Sequence, residues 1–117
     1  MKFIFKLWIF FLFPIFLLSI NKLEEKRVEK GGILFSNNCL PCHTGGKNLI
    51  LPEKNLRKET LDANGINSLK AITYQILNGK NGMPAFGGRL TENEIENIAH
   101  YVLKESEGNF QEKEFFK

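Results

Sequence analysis

Residues 39 to 43 read Cys-Leu-Pro-Cys-His and hold both cysteines of the chain and one of its two histidines. No other stretch restricts the possible folds as much. Two residues between the thiols let the backbone turn, so that both sulfurs reach one edge of a common object. The chain around them is small. Its 117 residues allow at most one domain. Without its apolar N-terminus it has only about 90 residues, and a chain of that size needs a disulfide, metal or cofactor to supplement its core.

The pattern C-x-x-C-H reads as c-type haem attachment. Each cysteine adds through a thioether to one haem vinyl group, and the next residue, His43, offers its imidazole to the iron. Three other readings stand beside it. A thioredoxin-like pair needs a preceding strand and a βαβ context, and neither is visible. Tetrahedral zinc needs four ligands, and only His100 is available to join Cys39, Cys42 and His43. A plain structural disulfide suits an oxidising compartment. Only the haem reading accounts for a histidine directly after the second cysteine.

A haem iron used for electron transfer takes a sixth group. The chain has two methionines, Met1 and Met83, so Met83 is the one internal thioether. It sits in a glycine-rich loop stiffened by Pro84. His100 is the competitor, but it falls off the apolar stripe of its helix and reads as a surface residue. His/Met ligation raises the iron potential. A shell of Phe35, Leu49, Leu61, Ile76, Phe86 and Tyr101 would exclude water. Two strong ligands leave no open position, which implies an electron carrier and not an oxygen-activating enzyme.

The first twenty residues form a separate object. Lys2 and Lys6 make a positive start, and Leu7 to Ile20 is apolar except for Ser19. This run is short for a membrane span and suits the h-region of an export signal covering about residues 1–25, ahead of a domain at 26–117. No Ala precedes Ala63, so the usual small-residue cleavage site is missing. Either cleavage falls between about residues 19 and 26, or the segment stays as an N-terminal anchor. The absence of an Arg/Ser-rich transit peptide points to a bacterial-type Sec route, in a bacterium or in an organelle that makes the protein internally. Removing Lys2 and Lys6 from the 16 basic residues leaves 14 against 13 acidic ones. That balance gives no nucleic-acid footprint.

The remainder reads as all-α, with no run of strand alternation. Thr91 and Glu94 form a capping box, and Ile95, Ile98, Ala99, Val102 and Leu103 make one apolar stripe ending near Gly108. A second helix spans about 67–78, capped by Asn67 and stopped by Gly79, with Leu69, Ile72 and Ile76 on its face. A third follows Pro52 and stops near Gly65, with Leu56 and Leu61 inward. A fourth covers about 27–37, with Val28, Leu34 and Phe35 as candidate core. Its Gly31-Gly32 pair is poor for helix propensity and marks close contact between two helices. Two loops, 44–52 and 78–90, are rich in Gly and Asn, and the second is long enough to suggest function.

The stretches FSNNCLPCHTGGKN, PEKNLRKETL and AITYQILNGKNGMPAFGGRLTENEIENIAHYVL carry a family resemblance. The chain resembles the cytochrome c6 family, also called cytochrome c-553, over about residues 31–107. The haem motif alone is common to all c-type cytochromes, whereas NGKNGMPAFGGRL is specific. The resemblance implies a class I cytochrome c fold of about four helices wrapped around one covalently bound haem c. Cys39 and Cys42 would anchor it, with His43 and Met83 as axial ligands and Gln75 beside the haem on the Met83 side. Arg89 would help dock photosystem I. It implies a non-enzymatic one-electron carrier from the cytochrome b6f complex to photosystem I in a thylakoid lumen, of a plastid or a cyanobacterium, monomeric or weakly oligomeric and without a small-molecule substrate. The alternatives are an anchored or subunit-type cytochrome feeding another oxidoreductase such as a terminal oxidase, and a lower-potential redox sensor. Family members often end near Gly-Trp. Here Gly108-Asn109-Phe110 stands in that place, and a C-terminal extension from about 109 follows, ending in QEKEFFK.

Overall fold

Thr91 starts the helix on which the rest of the fold is assembled. Its hydroxyl accepts from the Glu94 N–H at 3.2 Å, and the Glu94 carboxylate accepts from the Thr91 N–H at 3.0 Å. The capping box satisfies two backbone donors that the first turn leaves free. In the computed structural model, which describes residues 2–111 and the side chains of residues 4 and 6–111, five helices form. They are α1 (Lys2–Asn38), α2 (Leu40–His43), α3 (Lys58–Ala63), α4 (Leu69–Asn78) and α5 (Glu92–Glu107), with 3-10 turns at Thr44–Gly46 and Pro52–Lys54. Among the described residues there is no strand, only isolated bridges from Lys80 to Met83 and from Gly87 to Leu90. The fold of the described residues is all-α.

Helix α5 buries Ile95, Ile98, Ala99 and Val102 of the stripe expected from its spacing, and Leu103 is partly buried against them. One side of it meets α1, and the other meets α4 through Ile72 and Ile76. The α1 crossing is close because Gly31 lies in it. A Cβ there would stand 1.9 Å from the Asn97 carbonyl oxygen. The glycine pair thus marks helix–helix contact, as its poor propensity suggested.

Three boundaries differ from the sequence reading. The segment expected at 27–37 is the end of one helix that begins at Lys2 and runs through Pro14. Nothing at the level of local propensity separates the apolar run from the domain helix, so the helix continues through both. The third segment is split, with a 3-10 turn at 52–54 and α3 from Lys58, because Asn55 and Arg57 take extended backbone. The cap of α4 is Ser68, whose hydroxyl accepts from the Ala71 N–H. Asn67 instead donates to the Asp62 carboxylate at 2.6 Å.

From Leu7 to Ile20 the large side chains of α1 are exposed on every side. By length and composition α1 is, among the described residues, the one helix able to cross a membrane. Its lower half is tied to α5 by charge as well as by packing. The His100 ring Nδ1 lies 2.8 Å from the Glu24 carboxylate, and Arg27 lies 3.6 Å from Glu96. His100 is therefore not a plain surface residue, since only 14% of its side chain is exposed. At the other end of the chain, Phe110 is buried, so the stretch from 109 opens with a core residue. The remainder of QEKEFFK, residues 112–117, lies outside the described residues.

Candidate functional site

Cys39 continues the hydrogen-bond run of α1, its N–H donating to the Phe35 carbonyl at 2.8 Å. Pro41 then sets the first turn of α2, where a missing N–H costs nothing. The turn carries Cys42 and His43 round to the same cavity as Cys39. No disulfide joins the two cysteines. Burial, with a smaller contribution from Cys42 beside it, pushes the Cys39 thiol up to about 11.

The His43 ring is oriented by one backbone contact. Its Nδ1 lies 2.9 Å from the Lys47 carbonyl oxygen, which can only accept, so Nδ1 carries the proton. In the neutral ring Nε2 is then the nitrogen left to face a metal.

Met83 reaches the same cavity from the loop after α4. Lys80 and Met83 exchange both backbone hydrogen bonds, at 3.1 and 3.0 Å, around Asn81 and Gly82. Both central residues have positive φ, 47° and 89°, which is the Asn-Gly turn of type I′. Gly79 lets the turn fold back, since a Cβ there would lie 2.4 Å from the Met83 carbonyl oxygen. The sequence NGKNGMP is thus a turn that presents one thioether. Gln75, on α4, donates from Nε2 to the Met83 sulfur at 3.8 Å.

Between these groups lies a cavity of about 280 Å³. Phe35, Leu61, Ile76 and Phe86 of the expected shell are buried and line it. Tyr101 stands behind Phe35, ring to ring at 5.2 Å, outside the lining. Leu49 does not belong to the shell and is 75% exposed. Its N–H donates to the Cys42 carbonyl, and the Asn48 side chain accepts from the next two N–H groups, which together turn the loop outward at Leu49. Leu51, Ile66, Asn48 and Lys54 line the cavity without having been singled out. Asn48 was legible as a side chain that caps its own loop; the others carry no local signal.

His100 is not in the lining. It lies between Glu24, Glu96 and Arg27, so the four-ligand zinc set is not assembled. Arg89 is also outside the cavity. It is exposed, with its guanidinium 4.9 Å from the centroid of the Phe86 ring. The donor set of the cavity is therefore two thiols, one imidazole in ligand tautomer and one thioether, surrounded by apolar side chains. That chemistry fits a flat, mostly apolar, metal-bearing group held covalently at one edge.

The profile of the family described as Cytochrome C oxidase, cbb3-type, subunit III matches residues 26–102. Cytochrome c6 of Bumilleriopsis filiformis is 58% identical over 80 residues, which are 68% of this chain and 93% of the relative. Cytochrome c6 of Pyropia tenera is 55% identical over 80 residues, 68% of this chain and 94% of the relative. The solved structure of cytochrome c6 from the diatom Phaeodactylum tricornutum superposes with a TM-score of 0.68 at 50% identity, covering 70% of this chain and 97% of that one. The chain is a c-type cytochrome electron carrier with a covalently bound haem c, and it belongs to the cytochrome c6 family.

Proposed function

We propose that the protein carries single electrons from the cytochrome b6f complex to photosystem I in a thylakoid lumen, with Cys39 and Cys42 as thioether anchors and His43 and Met83 as axial ligands. When bound, the haem supplies a one-electron couple. The chain's residues supply everything else. The observation that carries this reading is the convergence of two thiols, the His43 imidazole and the Met83 thioether on one apolar cavity. The Lys47 carbonyl orients His43, and Gln75 steadies the Met83 sulfur. The buried lining excludes water, which favours the less charged ferrous state. Pro84 and Ala85 are exposed beside Met83, so a partner can approach that edge closely. Arg89, held over Phe86 at the same end of the loop, is the docking charge.

Residues 1–25 act as a Sec-type export signal in this reading. Cleavage ahead of Glu24 keeps the Glu24–His100 bond, and cleavage after it discards that bond.

Flash-induced oxidation of the purified holoprotein by photosystem I particles tests the assignment. Fast oxidation is expected, and Arg89→Glu is expected to slow it without moving the potential much. No oxidation overturns the partner, and an unchanged rate in the variant removes Arg89 from docking.

Two observations favour a second reading, a membrane-anchored cytochrome serving a terminal oxidase. Helix α1 runs unbroken from the apolar segment into the domain, and the matching family profile is described as an oxidase subunit. The intact mass of the native protein separates the two. A mass that includes residues 1–20 favours the anchor, and one that lacks them favours the exported carrier.

A further inference from the structure

Phe110 holds an unusual conformation for an aromatic residue. Asn109 and Phe110 follow each other in the left-handed region, with φ of 53° and 50°. Non-glycine residues avoid that region, and a pair of them persists only where surrounding contacts over-determine it. Here those contacts are specific. The Phe110 N–H donates to the Glu105 carbonyl at 2.9 Å, and the Asn109 side chain accepts from the Lys58 N–H at 3.3 Å. The ring is buried between Phe35, at 6.0 Å, and Tyr101, edge-on at 6.4 Å. It packs on Gly46, where a Cβ would come 2.5 Å from the Phe110 Cγ and 2.7 Å from its Cβ.

Gly46 stands directly before Lys47, whose carbonyl takes the His43 Nδ1 proton. Gly46 is itself buried, and its carbonyl accepts from the Leu56 N–H at 2.7 Å. The chain of contact therefore runs from the Phe110 ring to Gly46, then to the Lys47 carbonyl, then to the imidazole. We propose that Phe110 is a positioning residue for His43: its ring clamps the 44–47 turn, and the turn fixes the imidazole through Lys47. The proposal builds on the reading of His43 as axial ligand.

The test is nuclear magnetic resonance of the reduced holoprotein, reading hydrogen exchange at the His43 ring N–H. Local opening sets that exchange rate when the ring proton is bonded inside the protein. Phe110→Ala is expected to accelerate it about tenfold or more, and Phe110→Leu to a smaller degree. Gly46→Ala is expected to act in the same direction from the opposite side of the contact, and its positive φ of 72° adds a backbone strain that remains when Phe110 is Ala. Ile95→Ala, a core truncation on α5 outside the cavity lining, is the control for general loss of stability. Equal acceleration by Ile95→Ala, or none by Phe110→Leu and Phe110→Ala, overturns the role of Phe110. An axial imidazole carries a large ring-current displacement of its N–H resonance. A resonance without that displacement overturns the ligand assignment itself, whereas a displaced resonance with unchanged exchange overturns only the clamp.

Discussion

Gly31→Ala adds one methyl group at the point where α1 crosses α5. The added carbon would sit 1.9 Å from the Asn97 carbonyl oxygen, 2.6 Å from its carbonyl carbon and 2.9 Å from the Tyr101 Cβ. Ordinary contact between heavy atoms is nearer 3.5 Å, so the helices must part by about 1.5 Å. Two of the three obstacles are main chain of a helix that also packs on α4, so no rotamer change relieves them. Overpacking by a methylene costs ~1–3 kcal/mol, and a backbone obstacle belongs at the top of that range. Alanine returns about 1 kcal/mol of helix propensity. The net loss is about 2 kcal/mol or more, which for a domain of this size lowers Tm by about 8–16 °C. Gly32→Ala is the matched comparison. Its Cβ meets the Tyr101 ring at 3.0 Å, and a ring can tilt, so the change stays within about 1 kcal/mol. Thermal melting of the two holoproteins, followed by far-ultraviolet circular dichroism, compares them directly. A Gly31→Ala protein that melts with or above the wild type shows that propensity outweighs the crossing, and the account of this interface is then wrong.

Met83→Ala is expected to abolish the weak long-wavelength absorption of iron–thioether bonding in the oxidised protein; a surviving band assigns the sixth position to another group. Cys39→Ser with Cys42→Ser is expected to leave haem extractable into acid acetone, and haem retained on the protein excludes thioether attachment. Tyr101 carries a pH signature. Burial first, and the Glu105 carboxylate second, raise its phenol above the ordinary value of 10.0. The folded protein therefore keeps that proton at a pH where the unfolded chain has lost it. The associated stability is intact below about pH 10 and is lost as pH climbs through the raised folded value. Denaturant titrations should show wild-type stability falling more steeply than that of Tyr101→Phe above about pH 10, and parallel curves refute the linkage.

Much of the site was legible because its signals are local. Cys39 to His43 lie on one turn, and the spacing alone singles out two candidate anchors and a neighbouring imidazole. The Thr91–Glu94 cap and the stripe from Ile95 to Val102 follow from helical geometry within a dozen residues. Even Met83 could be chosen by elimination. Leu49 shows the limit of such reading. Its hydrophobicity suggested burial, yet one hydrogen bond to the Cys42 carbonyl and the Asn48 side chain turn it to solvent. His100 shows the opposite error, a charged-looking surface residue that α1 partly covers through Glu24 and Arg27.

Covalent spacing, caps and period are properties of neighbouring residues, so the sequence by itself determined the candidate anchor and ligands and the all-helical class, with the α5 cap and stripe. Which side chains share a cavity depends on contacts between residues far apart in the chain, and those arise only when the helices pack. The gathering of Met83, Gln75 and His43 around one cavity, the placement of Phe110 on Gly46 and the crossing at Gly31 were therefore decided by the tertiary structure.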